Sequence, residues 1–259
     1  MILHTRMLSG RKPSRPCLVW LHGFLGSGND WEHDPALFAD WPQLWVDLPG
    51  HGASADCLCE GFAALNALLT ATLAHAGVAD YWMVGYSLGG RVAMYHACQH
   101  PVGLQGIIVE GGNPGLHTEH ERQRRQLADE QWAVRFAAEP LRQVLADWYL
   151  QPVFAGLSTR ARAELVDQRS RNNPVALAAM LRNLSLGVQP PLYQALAQLT
   201  VPFHYLSGER DTKFQAIARE LGAPYHLIPD AGHNAHRDNP DAFAACITFV
   251  LRQYTEEKA

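Results

Sequence analysis

Tyr81-Trp82-Met83-Val84 is a short apolar run of strand composition. It stops at Gly85-Tyr86-Ser87-Leu88-Gly89-Gly90, beyond which the pattern is helical to about His100. A strand that turns this sharply into a helix has few ways to fold. The helix must lie back against the sheet, and glycines on either side of the serine tolerate the crowded backbone, so the serine oxygen is held at the sheet's carboxyl edge. Similar units recur. Cys17-Leu18-Val19-Trp20-Leu21 leads into His22-Gly23-Phe24, and Leu44-Trp45-Val46 leads into Asp47-Leu48-Pro49-Gly50-His51-Gly52. A helical stretch runs from Phe62 to about Ala76, and Leu104 to Glu110 is a further strand. Later come a strand at Phe203 to Leu206, a helix at Phe214 to Leu221, a strand at Tyr225 to Ile228 and a last helix from Pro240, with Asn239 as its N-cap. Apolar runs of this length separated by helices specify an α/β fold, with a mostly parallel central sheet and helices on both faces.

From about Asn113 to Ala195 the strand signal vanishes and helical pattern with charged faces takes over, as in Glu121 to Ala138, Pro140 to Tyr149 and Arg160 to Arg171. The chain therefore reads as core over 1–112, a helical cap or lid over 113–195, and core again over 196–259. The net charge of -4 and pI near 6.3 provide no global field for nucleic acid or an anionic membrane. There is no apolar run near 18 residues, and Met1-Ile2-Leu3-His4-Thr5-Arg6 has no apolar leader pattern, so the expected location is the cytoplasm. Cysteines at 17, 57, 59, 98 and 246 are odd in number, without C-x-x-C, and read as reduced thiols. With no dinucleotide fingerprint, phosphate loop or metal-ligand spacing, neither cofactor nor metal is called for.

Gly85-Tyr86-Ser87-Leu88-Gly89 fits G-x-S-x-G. Serine is a poor base or nucleophile unless a histidine takes its proton and a carboxylate fixes that histidine's tautomer. The late loops supply both in chain order, Asp211 after the strand ending Leu206-Ser207-Gly208 and His233 after the strand ending Ile228, with Glu209 as an alternative acid. The backbone N–H groups of Phe24 and Leu88 are the expected oxyanion hole. His22, His51 and His236 read as structural.

Arg91 lies four residues after Ser87, on the same helix face, where it either leans toward the cleft or sits on a solvated surface. The 113–195 block is arginine-rich and contains no lysine. Its acidic residues interleave, so most of these arginines are salt-bridge partners on helix faces and only a few face the cleft. Trp148-Tyr149 either walls a ring substrate or packs in the core.

These residues together resemble the α/β-hydrolase superfamily, whose variable lid corresponds to the helical insertion. Gly85 to Met94, Ile108-Val109-Glu110-Gly111-Gly112-Asn113-Pro114-Gly115-Leu116, Ala146 to Phe154, Ser207 to Phe214 and Ala231-Gly232-His233-Asn234-Ala235-His236 are further similar to the MenH family, the 2-succinyl-6-hydroxy-2,4-cyclohexadiene-1-carboxylate synthases of menaquinone biosynthesis. The resemblance implies a small polycarboxylate substrate held by Arg91, Arg125 and Arg169, with Tyr86, Trp148 and Tyr149 nearby; Arg124 or Arg171 are alternative counterparts. It also implies a lyase that removes a ring proton and expels pyruvate, with Ser87, His233 and Asp211 acting as a base. A carboxylester or C-C bond hydrolase with Ser87 as nucleophile is the competing reading, and a catalytically silent binding protein is a second. No obligate protein partner is indicated.

Overall fold

The computed structural model describes residues 1–32 and 37–255. Seven strands form one sheet: β1 (Thr5–Leu8), β2 (Cys17–Leu21), β3 (Gln43–Val46), β4 (Tyr81–Tyr86), β5 (Leu104–Glu110), β6 (Phe203–Gly208) and β7 (Tyr225–Ile228). Their order is β1-β3-β2-β4-β5-β6-β7, and every pairing is parallel except β1 with β3. Only β1 escapes the sequence pattern. It is a four-residue edge strand carrying Arg6, half exposed along its length, so no buried alternation marks it.

β2 and β4 are buried at every residue, which is why they read as unbroken apolar runs. Alternate side chains feed two separate layers. Val19, Leu21 and Met83 point to the face covered by α1 (Gly61–His75), α2 (Leu88–Ala97) and α8 (Thr212–Leu221), through Leu65, Leu69, Val92, Phe214 and Ile217. Leu18, Trp20, Trp82 and Val84 point to the opposite face, where α10 (Pro240–Thr255) contributes Phe243, Ile247 and Val250. Asn239 Oδ1 accepts the Ala242 N–H, 3.2 Å away, as expected of an N-cap.

Between β5 and β6 the chain is helical: α3 (Glu119–Ala138), α4 (Leu141–Trp148), α5 (Thr159–Arg169), α6 (Pro174–Asn183) and the single turn α7 (Tyr193–Leu196). Thr118 and Glu121 form a reciprocal capping box at the start of α3, and Asn173 with Pro174 starts α6. These helices have their own apolar centre, in which Phe136, Val144, Leu145, Leu165 and Leu177 surround Leu25 from the loop after β2. The short α9 (Ala235–Asp238) joins the last loop to α10.

Candidate active site

At the end of β4 the backbone of Ser87 adopts φ +50° and ψ -105°, a region that side-chain-bearing residues rarely occupy. The site pins it there. Its N–H donates to the Glu110 carbonyl on β5 at 2.8 Å, and its carbonyl accepts the Arg91 N–H in the first turn of α2. A Cβ on Gly89 would lie 2.1 Å from the Leu21 carbonyl oxygen, so this approach of α2 to β2 requires glycine. Ser87 occupies the N-cap position of α2 without capping it through its side chain, which leaves Oγ for other work.

Asp211 follows β6 and caps α8, and its Oδ2 lies 2.8 Å from His233 Nδ1. A carboxylate only accepts, so Nδ1 carries the proton and the lone pair of Nε2 faces Ser87 Oγ, 3.4 Å away. That second contact is long, and substrate binding commonly tightens such contacts. The imidazole is held between Phe214, stacked at 4.5 Å, and Tyr86 at 5.3 Å. Gly111, at φ +58°, makes room for it, since a Cβ there would lie 2.7 Å from His233 Cε1. Glu209 is exposed and accepts the Asp230 N–H, so the carboxylate at the histidine is Asp211. His236 is buried on Glu110, whose carboxylate takes both its N–H and its Nδ1, fastening the loop that carries His233.

A cavity of about 400 Å³ opens above Ser87 and His233 and is lined by both proposed oxyanion donors, Phe24 and Leu88. Leu88 is the first residue of α2, so its N–H has no partner within that helix. Tyr86, Trp148, Arg91 and Arg125 line the same cavity. Arg91 donates to Gln189 Oε1 at 2.5 Å and to the Leu184 carbonyl at 2.7 Å, with its guanidinium 5.1 Å from the Phe62 ring. Burial and then Arg125 push Arg91 down to about 9, with Asp129 opposing, which leaves a cation at neutral pH that pairs with no carboxylate among the described residues. Arg125 is paired with Asp129 at 2.8 Å.

Lys213 is a cavity residue that the sequence reading did not single out. Burial, and then Arg125, lower its pKa. A signal was present: a lysine in the first turn of a helix opposes the macrodipole, a position favourable to acids.

Two expected contacts lie elsewhere. Arg169 Nη2 sits 2.7 and 2.8 Å from the two carboxylate oxygens of Asp30, with Tyr149 nearby. Neither Arg169 nor Tyr149 lines the cavity at Ser87. Arg169 is paired with a carboxylate 139 residues away in sequence, as Arg125 is with Asp129 one helical turn away. Arg124 and Arg171 are exposed and also lie outside that cavity. Most other arginines of the helical block are paired as expected, Arg135 with Glu139, Arg160 with Glu164 and Arg182 with Glu130.

Several histidines are held as neutral rings, all buried except the half-buried His226. Burial lowers His22 and His226, and brings His51 to about 3 and His96 and His204 to about 4. Unfolding returns each toward 6.5, so the unfolded chain binds protons that the folded chain refuses. The stability they confer is full above pH 6.5 and is lost as pH falls through that value toward 3 to 4. The urea midpoint is therefore expected to drop between about pH 7 and about pH 5, before most carboxylates titrate; a flat midpoint there would contradict the assignment.

The family model described as the alpha/beta hydrolase fold matches residues 16–240. The 2-succinyl-6-hydroxy-2,4-cyclohexadiene-1-carboxylate synthase of Enterobacter sp. (strain 638) is 54% identical over 252 residues, covering 97% of this chain and 97% of that protein. The protein of the same description from Escherichia coli O1:K1 / APEC is 53% identical over 252 residues, 97% of this chain and all of its own length. Among solved structures, MenH from S. aureus superimposes with a TM-score of 0.91 at 28% identity, covering 96% of this chain and 98% of its own. The enol-lactonase from Burkholderia xenovorans LB400, at TM-score 0.79 and 20% identity over 96% of both chains, shares the fold.

Proposed function

This chain belongs to the α/β-hydrolase fold family and, within it, to the 2-succinyl-6-hydroxy-2,4-cyclohexadiene-1-carboxylate synthases, and on that footing we propose a mechanism for its serine centre. The reaction is elimination of pyruvate from 2-succinyl-5-enolpyruvyl-6-hydroxy-3-cyclohexene-1-carboxylate, a step of menaquinone biosynthesis carried out in the cytoplasm. Ser87, its proton drawn toward His233 and that histidine oriented by Asp211, removes the ring proton α to the succinyl ketone. Negative charge moves onto the ketone oxygen, where the Phe24 and Leu88 amides stabilise it. The ring double bond then shifts, the enolpyruvyl C–O bond breaks, and the departing enolate takes up a proton to become pyruvate. Two conjugated double bonds remain in the ring. No acyl-enzyme forms on this route.

One observation carries the reading: Arg91, Arg125 and Lys213 converge on the cavity that holds Ser87, against a single lining carboxylate, Asp129. An ester hydrolase has no use for three cations there. A substrate with carboxylates on the ring, the succinyl chain and the enolpyruvyl group does. The helices over 113–195 act as the lid that brings Arg125 over the serine. Arg169 joins this lid to the core through Asp30.

Pyruvate release with appearance of diene absorbance, from freshly made substrate, tests the reaction directly. Wild type should exceed the spontaneous rate by orders of magnitude. Arg91→Met, which keeps the apolar stem, should raise KM roughly tenfold to a hundredfold, the worth of a charge-assisted hydrogen bond. Hydrolysis of an uncharged ester, if any occurs, should stay within about threefold. Wild type no faster than buffer, with ester turnover through Ser87, would instead make the chain a hydrolase.

A further inference from the structure

The loop after β2 must present the Phe24 N–H to the developing oxyanion, yet the next residue, Leu25, is buried in the left-handed region at φ +72° without being glycine. Something has to hold it there. Two buried histidines do so by crossing between this loop and the one after β3. His51 Nε2 accepts the Leu25 N–H at 3.1 Å while its Nδ1 donates to the Pro49 carbonyl at 2.8 Å. His22 runs in the opposite sense, with Nε2 accepting the Leu48 N–H at 2.9 Å and Nδ1 donating to the Gly23 carbonyl at 2.7 Å. A backbone N–H only donates, so each ring is fixed as the same neutral tautomer. The rings also meet edge to face, 5.2 Å apart, and His51 lies edge-on to Phe24 at 5.5 Å. The peptide that bears the Phe24 N–H is thus held at its own carbonyl, Gly23 O, by His22, and the next peptide is held at the Leu25 N–H by His51.

We propose that His51, with His22 crossing from the facing loop, is a positioning residue that aims the Phe24 N–H into the oxyanion hole. Neither ring lines the cavity, so neither touches substrate. Their contribution is one of angle. An amide turned away from the enolate oxygen loses its stabilisation when charge develops and costs nothing when substrate binds, so the effect belongs in kcat. The inference deepens the proposed elimination and rests on it for the substrate used.

The test compares His51→Gln, His51→Asn and His51→Leu in the full chain. Glutamine extends an acceptor to about the reach of Nε2, asparagine stops near the position of Nδ1, and leucine has no acceptor. For pyruvate release, kcat should fall about tenfold to a hundredfold in the asparagine and leucine variants with KM within about threefold, and glutamine should recover most of the loss. Equal kcat in all three, or a loss confined to KM, overturns the proposal. If the leucine variant does not fold, the asparagine and glutamine pair, both polar and one methylene apart, makes the comparison. Exchange of the Leu25 amide proton, followed by NMR, reads the same bond without turnover and should be faster with asparagine than with glutamine. An inactive wild type therefore removes the proposed reaction alone, whereas equal exchange in the two variants removes the positioning role.

Discussion

Replacing Ser87 by alanine is expected to lower kcat for pyruvate release by about a hundredfold to ten-thousandfold, the usual worth of a positioned general base. KM should stay near its wild-type value, because the proposed carboxylate contacts, Arg91, Arg125 and Lys213, line the cavity independently of the serine oxygen. The size of the loss also locates the base. His233 Nε2 lies 3.4 Å behind Oγ, so a residual rate within tenfold of wild type would mean that the imidazole reaches the ring proton by itself. A loss beyond a hundredfold with unchanged KM keeps Ser87 in that role. Stopped reaction mixtures should contain no covalent adduct at residue 87 by mass spectrometry, and its accumulation would replace elimination with acyl transfer.

Asp211→Asn should be equally severe, at about ten-thousandfold in kcat, for a different reason. The amide can donate to Nδ1 as well as accept from it, so the imidazole turns to the tautomer whose Nε2 carries a proton and cannot accept one from serine. Geometry is conserved while chemistry is lost. The Phe214 N–H cap on Asp211 survives because the amide still has an oxygen, so thermal stability should fall little. Asp211→Ala removes both jobs, and its larger loss of stability separates the cap from the catalytic role. Rates for the two variants that differ by more than about tenfold would show that tautomer control is not the main function of this carboxylate.

Much of this was legible beforehand because it is local. β2, β4 and β5 are buried on both faces and announce themselves as apolar runs, and the serine turn is marked by glycines that crowding demands. Asp211 and His233 were legible from position alone, each one loop past a strand that ends at the same edge as β4. What escaped was set by partners distant in sequence. Nothing near Arg169 indicates that Asp30 will claim it, and nothing near Arg91 indicates that Gln189 and the Leu184 carbonyl will steer it inward. Lys213 was visible only as a cation in an electrostatically wrong place. The crossed histidines read as structural, and what they hold depends on two loops folding against each other.

The dihedral at Ser87 sets activity against stability at one residue. At φ +50° any side chain with a Cβ is strained by about 1 to 3 kcal/mol, and glycine alone escapes. That strain is present before substrate arrives and after product leaves, so its relief cannot accelerate the reaction. It is the standing cost of holding an oxygen where His233 can reach it. Drift toward a sturdier molecule would favour glycine at this position and yield a better-folded protein with no base. Gains in stability that keep the enzyme alive have to come from elsewhere in the chain, and the serine stays uncomfortable for as long as the reaction is needed.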